Sequence, residues 1–237
     1  MRCLAHLSDL HFGCEEGGLA EALLADLREQ QPSLIAISGD FTQRARRSQY
    51  RAARAFLERL PARWIAVPGN HDVPLYDVLR RFLSPLGRYR KFITPDLNPF
   101  YEDAELMLLG LNTARSLTWK SGRISLEQLA RVRATLAAPA PEKFKVLMTH
   151  HPFIPPPGDQ ASAIDLVGRA AQAIPVIDEC RIDLLLAGHL HQGYSGNIST
   201  YYPHARRSIV SVQAGTAISR RRRNEPNAYN LLWLDQR

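Results

Sequence analysis

The chain has 237 residues, 45% of them hydrophobic, a formal charge of +7 and a sequence pI of about 9.6. That length and composition suit one sizeable domain with a full core, and no apolar run approaches the roughly 20 residues that a membrane-spanning helix needs. The basic excess favours anionic partners without choosing between a nucleotide, a nucleic acid and a phospholipid head group.

Residues 2–8 read as a short buried strand ending at Asp9, too soon broken by polar residues to be a secretory leader. Residues 19–31 have helical spacing, with Leu19, Leu23, Leu24 and Leu27 on one face, and Pro32 stops them. Residues 33–38 predict a second strand ended by Gly39, residues 48–60 a helix, and residues 64–67 a third strand ended by Pro68 and Gly69. Residues 75–105 break the alternation: Arg80, Arg81, Arg88, Arg90 and Lys91 mix with prolines and aromatics. A helix plus a long loop is expected there, either a small cap over a site or an ordinary surface excursion.

Further strands are expected at 106–111, 144–149 and 182–187. A helix is expected at 125–136, capped by Ser125 with Gln128 three residues on, and another within 161–180, interrupted at Pro175. Beyond His191 the pattern changes: 209–212 and 229–234 look like strands with no helix between, so an antiparallel tail in a second sheet is expected. No internal repeat or linker divides the chain, and residues 1–237 read as one α/β domain with a cap-like insertion as an option at 75–105. Cys3, Cys14 and Cys180 form no CxxC pair, which argues against thiolate zinc or a disulfide framework, while the lack of a membrane-length apolar run and of a leader-like start leads to the expectation of a soluble, cytoplasmic protein. Cys14, near Asp9 and His11, reads as a small apolar filler.

Six of the eight histidines fall in five short motifs, each behind an apolar run. These are Asp9-Leu10-His11, Gly39-Asp40, Gly69-Asn70-His71-Asp72, His150-His151-Pro152 and Gly188-His189-Leu190-His191. Asp9, Asp40 and Asn70 stand about thirty residues apart, one βαβ unit, so each falls at the carboxyl end of its strand, the edge where such sheets bind ligands. Asp9 and His11, two apart at an extended strand end, would face one cation together. Carboxylate, amide and imidazole donors suit Mn, Fe, Zn, Co or Ni better than Ca. Asp40 has two oxygens with which to bridge two cations, Asn70 offers a neutral oxygen, and His150, His189 and His191 complete two sets.

This order of motifs, over residues 9 to 191, resembles the calcineurin-like metallophosphoesterase superfamily. The resemblance implies a four-layer α/β/β/α sandwich of two mixed sheets flanked by helices. It also implies two divalent metal ions, with Mn or Fe favoured. Asp9, His11 and His191 would hold the first and Asn70, His150 and His189 the second, with Asp40 between them. His71 would handle a proton and bind no metal. Of the adjacent pair, His150 takes the ligand position because it stands two residues before the proline. His151 is then either a substrate contact or a rim histidine packed on Pro152. Two such cations about 3.5–4 Å apart would hold the phosphate and a bridging hydroxide for in-line attack.

The motifs point to a phosphoric ester hydrolase and leave the leaving group open. Three basic features offer substrate contacts: Arg44, Arg46 and Arg47 just after Asp40; Arg80, Arg81, Tyr89 and Arg90 in residues 75–105; and the run Arg220, Arg221, Arg222 and Arg223. Each has a plain alternative as solvated surface, and the last reads as a hairpin tip with two arginines per face. A small-molecule phosphodiester is the expected substrate, by resemblance to compact bacterial members of the cyclic-nucleotide phosphodiesterase-like group. A DNA-processing nuclease, a UDP-diacylglucosamine pyrophosphatase-like enzyme of lipid A synthesis and a non-catalytic scaffold are the alternatives. The oligomeric state is left open.

Overall fold

The computed structural model describes residues 2–140, 142–158 and 166–235. The chain opens with strand β1 (Arg2–Leu7), helix α1 (Leu19–Gln30), β2 (Leu34–Ile37), α2 (Arg47–Leu57) and β3 (Trp64–Ala66). A 3-10 turn at Asn70–Asp72 leads to α3 (Val78–Leu83), α4 (Gly87–Phe92), β4 (Phe100–Glu102), β5 (Leu106–Gly110), α5 (Leu126–Leu136) and β6 (Phe144–Met148). Then come α6 (Ala170–Glu179), β7 (Leu184–Ala187), β8 (Tyr194–Asn197), α7 (Ile198–Tyr201), β9 (Val210–Gln213) and β10 (Asn230–Leu234).

These strands form two sheets, in the orders β10-β1-β2-β3 and β4-β5-β6-β7-β9-β8. Strand periodicity explains how they stack. Leu4, Leu34 and Ala36 point inward from the first sheet and meet Leu108, Val146 and Leu186 of the second. Their alternates Ala5, Ile35 and Ile37 point outward against Leu24 and Leu27 of α1 and Tyr50 and Phe56 of α2. On the far side Leu109, Leu147 and Leu185 pack against Leu129 and Val132 of α5 and Ile174 and Ile177 of α6. The result is the α/β/β/α layering that the motif order implies. Strands buried on both faces read as continuous apolar runs, which is why they stand out in the sequence.

The tail departs from expectation. β10 pairs antiparallel with β1 and so returns to the first sheet, while β9 runs parallel to β7 in the second. The antiparallel partner of β9 is β8, whose residues Tyr194, Ser195, Gly196 and Asn197 carry no alternating apolar signal. Residues 75–105 hold two short helices and an edge strand. β4 pairs antiparallel with β5, and α4 packs on α2. α6 runs through Pro175 without a break because Ala173, Ile174, Val176 and Ile177 are buried around it, and that packing outweighs the hydrogen bond that proline removes. The part of that helix expected at 161–165 lies outside the described residues. α5 carries the expected cap: the Gln128 N–H donates to Ser125 Oγ at 3.1 Å and the Ser125 N–H to Gln128 Oε1 at 2.9 Å.

β1, β2 and β3 are mutually parallel, as are β5, β6 and β7. Asp9, Asp40 and Asn70 follow the first three, and His150 and His189 follow β6 and β7. No described helix is long and apolar enough to cross a membrane.

Candidate metal centre

The strand-end loops are stitched to one another before any side chain is considered. The Asp9 N–H donates to the Gly39 carbonyl (3.1 Å), His11 N–H to Asp40 (2.9 Å) and Gly188 N–H to His150 (3.0 Å). The backbone itself is strained here. Of ten non-glycine residues with positive φ among the described residues, five are Asp9, Asp40, His11, His189 and His191, at 48° to 76°. A left-handed residue is unfavourable with a β-carbon and persists only where its surroundings impose it, so its concentration at one place marks a built site. It also corrects the expected geometry. Asp9 and His11 reach one point by left-handed turning, not by the alternation of an extended strand.

Gly39 makes the turn possible. Its φ is +102°, and a β-carbon there would stand 2.7 Å from His150 Nδ1. A β-carbon on Gly69 would collide with Asp40 Oδ1. These two glycines let the β2 and β3 loops pass close enough for Asp40 to reach between them.

The first group comprises Asp9, His11, Asp40 and His191, all buried, with one donor atom from each within 4.8 Å of the others. His11 Nε2 lies 3.5 Å from Asp9 Oδ1, 3.6 Å from Asp40 Oδ2 and 3.0 Å from His191 Nε2. His191 Nδ1 is 2.8 Å from the Arg221 carbonyl. A carbonyl only accepts, so that nitrogen carries the proton and Nε2 presents a lone pair. Asp9 Oδ2 accepts from Ser8 Oγ and the His189 N–H, whereas Oδ1 is buried with no hydrogen-bond partner among the described residues. Burial opposes ionising Asp9, yet the imidazoles of His11, His191 and His150 close around it hold its carboxyl well below the usual range.

The second group meets at Asn70. Its Oδ1 stands 3.1 Å from both His150 Nε2 and His189 Nδ1. The Asn70 Nδ2 donates to the Trp119 carbonyl at 3.2 Å, which turns the amide oxygen towards the histidines. His150 Nδ1–H donates to the Ser38 carbonyl at 2.7 Å, freeing Nε2. Asp40 Oδ2 is 3.5 Å from His150 Nε2, so the same oxygen borders both groups.

Wherever such donor atoms turn their lone pairs to one point in a dry interior, they repel one another unless a cation takes the centre. The donor set fits two divalent cations of the first transition series, each with oxygen and nitrogen donors. His151 falls geometrically beside His150 and His189. Its ring is engaged elsewhere: Nε2–H donates to the Lys120 carbonyl (2.7 Å) and Nδ1 accepts from Thr113 Oγ1 (2.8 Å). It is fully buried, so it is neither a rim residue nor placed to meet substrate, and burial pushes it down to about 3. It anchors the 113–123 loop.

His71 sits at the edge. Its N–H donates to Asp40 Oδ1 and its Nδ1–H to the Gln43 carbonyl, both at 2.8 Å. Nε2 accepts from Arg221 Nη1 at 2.8 Å, and burial pushes the imidazole down to about 4. Asp72 does not orient this ring. Its carboxylate gathers the N–H groups of Phe41, Thr42 and Gly69 and ties the β2 and β3 loops together.

A cavity of about 270 Å³ opens beside Asn70 and His71, walled by Arg44, Arg81, Trp119, Lys120 and Arg221 among others. Of the expected substrate contacts, Arg44 lines it, with its guanidinium 5.7 Å from the Tyr76 ring. Arg80 instead pairs with Asp77 on the exposed side of α3, and its neighbour Arg81 turns in. The sequence reading did not assign Trp119, Gln43 or Thr113 to the site, and it named Arg221 only within a basic run.

The sequence pattern described as calcineurin-like phosphoesterase matches residues 4–193, and the chain belongs to that family. Over 213 residues it is 32% identical to a cAMP/cGMP dual specificity phosphodiesterase of Mycobacterium tuberculosis, covering 82% of this chain and 62% of that one. The chain thus spans less than two thirds of that relative's length. It is 25% identical to a protein of a Synechococcus species named a probable cyclic nucleotide phosphodiesterase, over 81% of this chain and 74% of the other. A dimetal phosphatase from Danio rerio shares the fold, with a TM-score of 0.67 at 14% identity over 92% of this chain and 88% of that one.

Proposed function

We propose that this protein is a dinuclear-metal phosphodiesterase of small molecules, with cyclic nucleotides as the substrate class. The observation that carries the reading is Asp40 Oδ2, 3.6 Å from His11 Nε2 and 3.5 Å from His150 Nε2, one carboxylate oxygen shared by two donor groups. Asp9, His11 and His191 would hold one cation and Asn70, His150 and His189 the other. A cation pair so held supplies Lewis acidity towards phosphoryl oxygens and acidifies water. His71, its Nδ1–H fixed on the Gln43 carbonyl, keeps Nε2 as its basic atom, which would take a proton from the attacking water and pass it to the leaving oxygen. The names of the mycobacterial and cyanobacterial relatives support the cyclic-nucleotide class.

The wall formed by residues 75–83 and 117–120 would take the nucleoside, with Trp119 as a stacking platform. Residues 75–105 thus serve as one side of the pocket within a single domain. Mn or Fe is the proposed metal pair. The three cysteines are unpaired, which supports a cytoplasmic setting. The test is turnover of 3′,5′-cyclic AMP, cyclic GMP and bis(p-nitrophenyl) phosphate by Mn2+-loaded protein. Hydrolysis of the cyclic nucleotides that vanishes in Asp40→Ala supports the reading, and a loaded protein inert to every diester sinks it.

A further inference from the structure

Of the arginines at positions 220 to 223, three are exposed and Arg221 alone turns inward. We infer that Arg221 grips the phosphate group of the substrate, an inference that rests on the phosphodiesterase reading of the site. Its backbone is fixed by the centre itself. The Arg221 carbonyl accepts from His191 Nδ1 at 2.8 Å, and the Arg221 N–H donates to Ser219 Oγ at 3.1 Å. The side chain therefore starts from a rigid base beside the first donor group.

The guanidinium meets only neutral acceptors. Nη1 lies 2.8 Å from His71 Nε2 and 3.3 Å from Gln43 Oε1, and no carboxylate pairs with it among the described residues. Its neighbours Arg220 and Arg222 differ, each within 3.9 Å of Glu16. A half-buried cation without a counter-charge is costly, and an incoming phosphate is what would relieve it. Guanidinium is also the side chain whose fork matches two phosphate oxygens at once. Arg221 and His71 both line the cavity, with Nη1 on His71 Nε2, so an anion arriving beside His71 has the guanidinium within reach. Arg44 and Lys120, on the same cavity wall, add positive charge around the entrance.

The experiment is calorimetric titration of inorganic phosphate into Mn2+-loaded protein, with elemental analysis of the metal content. Arg221→Ala should weaken phosphate binding roughly 10- to 100-fold, the range for a hydrogen bond to a charged group. Its metal content should match wild type, because the carbonyl that holds His191 remains. Arg221→Lys should fall between the two, since a point charge lacks the fork. Arg222→Ala should bind phosphate like wild type. Equal affinity in wild type and Arg221→Ala overturns the inference, as does Arg221→Ala losing metal, which would reduce the residue to a support for His191. If wild type turns over no diester yet its phosphate affinity still depends on Arg221, the phosphodiesterase reading fails and this one stands.

Discussion

The metal cage and the pocket wall are built on opposite principles. The cage uses residues at the ends of central strands: Asp9, His11, Asp40 and His150 are at most 1% exposed, and second bonds on the same side chain aim Asp9, Asp40 and His150. The wall is α3 and the 113–123 loop. Among the described residues, seven of the eleven exposed large hydrophobic side chains lie on or next to these segments (Tyr76, Val78, Leu79, Phe82, Leu83, Leu117 and Trp119), and of the seven Trp119 lines the cavity itself. Rigid burial suits groups whose job is to hold a fixed geometry, while a wall of exposed apolar residues suits a surface that closes on different molecules. One seam joins them. Arg81 of α3 donates to the Thr118 carbonyl, and the Trp119 carbonyl receives the Asn70 amide, so the wall aims one side chain of the cage.

If the cage is as interdependent as this geometry says, Asp40→Ala has the largest effect. Removing the shared oxygen should abolish measurable turnover and drop bound metal below two per chain, well beyond the roughly 10- to 100-fold that outer supports of a metal site cost. Elemental analysis beside diester kinetics checks it; two metals retained would break the picture of a shared carboxylate. His71→Ala comes next, lowering kcat by about 10²- to 10⁴-fold with metal content intact. Loss of metal in that variant would move His71 from proton handling into the cage.

The seam is probed by Arg81→Ala. Freeing Thr118 and Trp119 should weaken binding of one of the two metals about 10- to 100-fold and spare the other, read by competition with a chelator. Equal weakening of both would mean that the wall does not aim Asn70 selectively. The smallest effect belongs to the wall alone. Trp119→Ala should raise KM for cyclic AMP by about 5- to 100-fold, the worth of one base–aromatic stack, with kcat and thermal midpoint unchanged. An unaltered KM would deny the wall any part in recognition.

Particular residues show where sequence reading reached and where it stopped. The five motifs were legible because each follows a run buried on both faces, and such runs declare themselves as strands. Residues 75–105 read either as a cap that brings arginines to the site or as a surface excursion, and Arg80 and Arg81 stand about 100° apart around a helix. Which one turns in depends on the helix's rotation against its neighbours, and in a helix with four exposed apolar residues no hydrophobic face announces that phase. His151 kept two readings open, and only the return of the 113–123 loop to meet both ring nitrogens resolved them. Arg221 lay in a run of four like charges that local patterning cannot tell apart.

By itself the sequence determined the strand–helix alternation, the placing of Asp9, Asp40, Asn70, His150 and His189 at strand ends, and from these the family. Those features are local: apolar period, turn residues and motif spacing act within a few tens of residues. Tertiary structure alone decided the pairing of β10 with β1, the left-handed turns at Asp9 and His11, the aim of Asn70 and the inward turn of Arg221. Each of these depends on contacts between segments far apart in the chain, where packing and the satisfaction of buried polar groups override local preference.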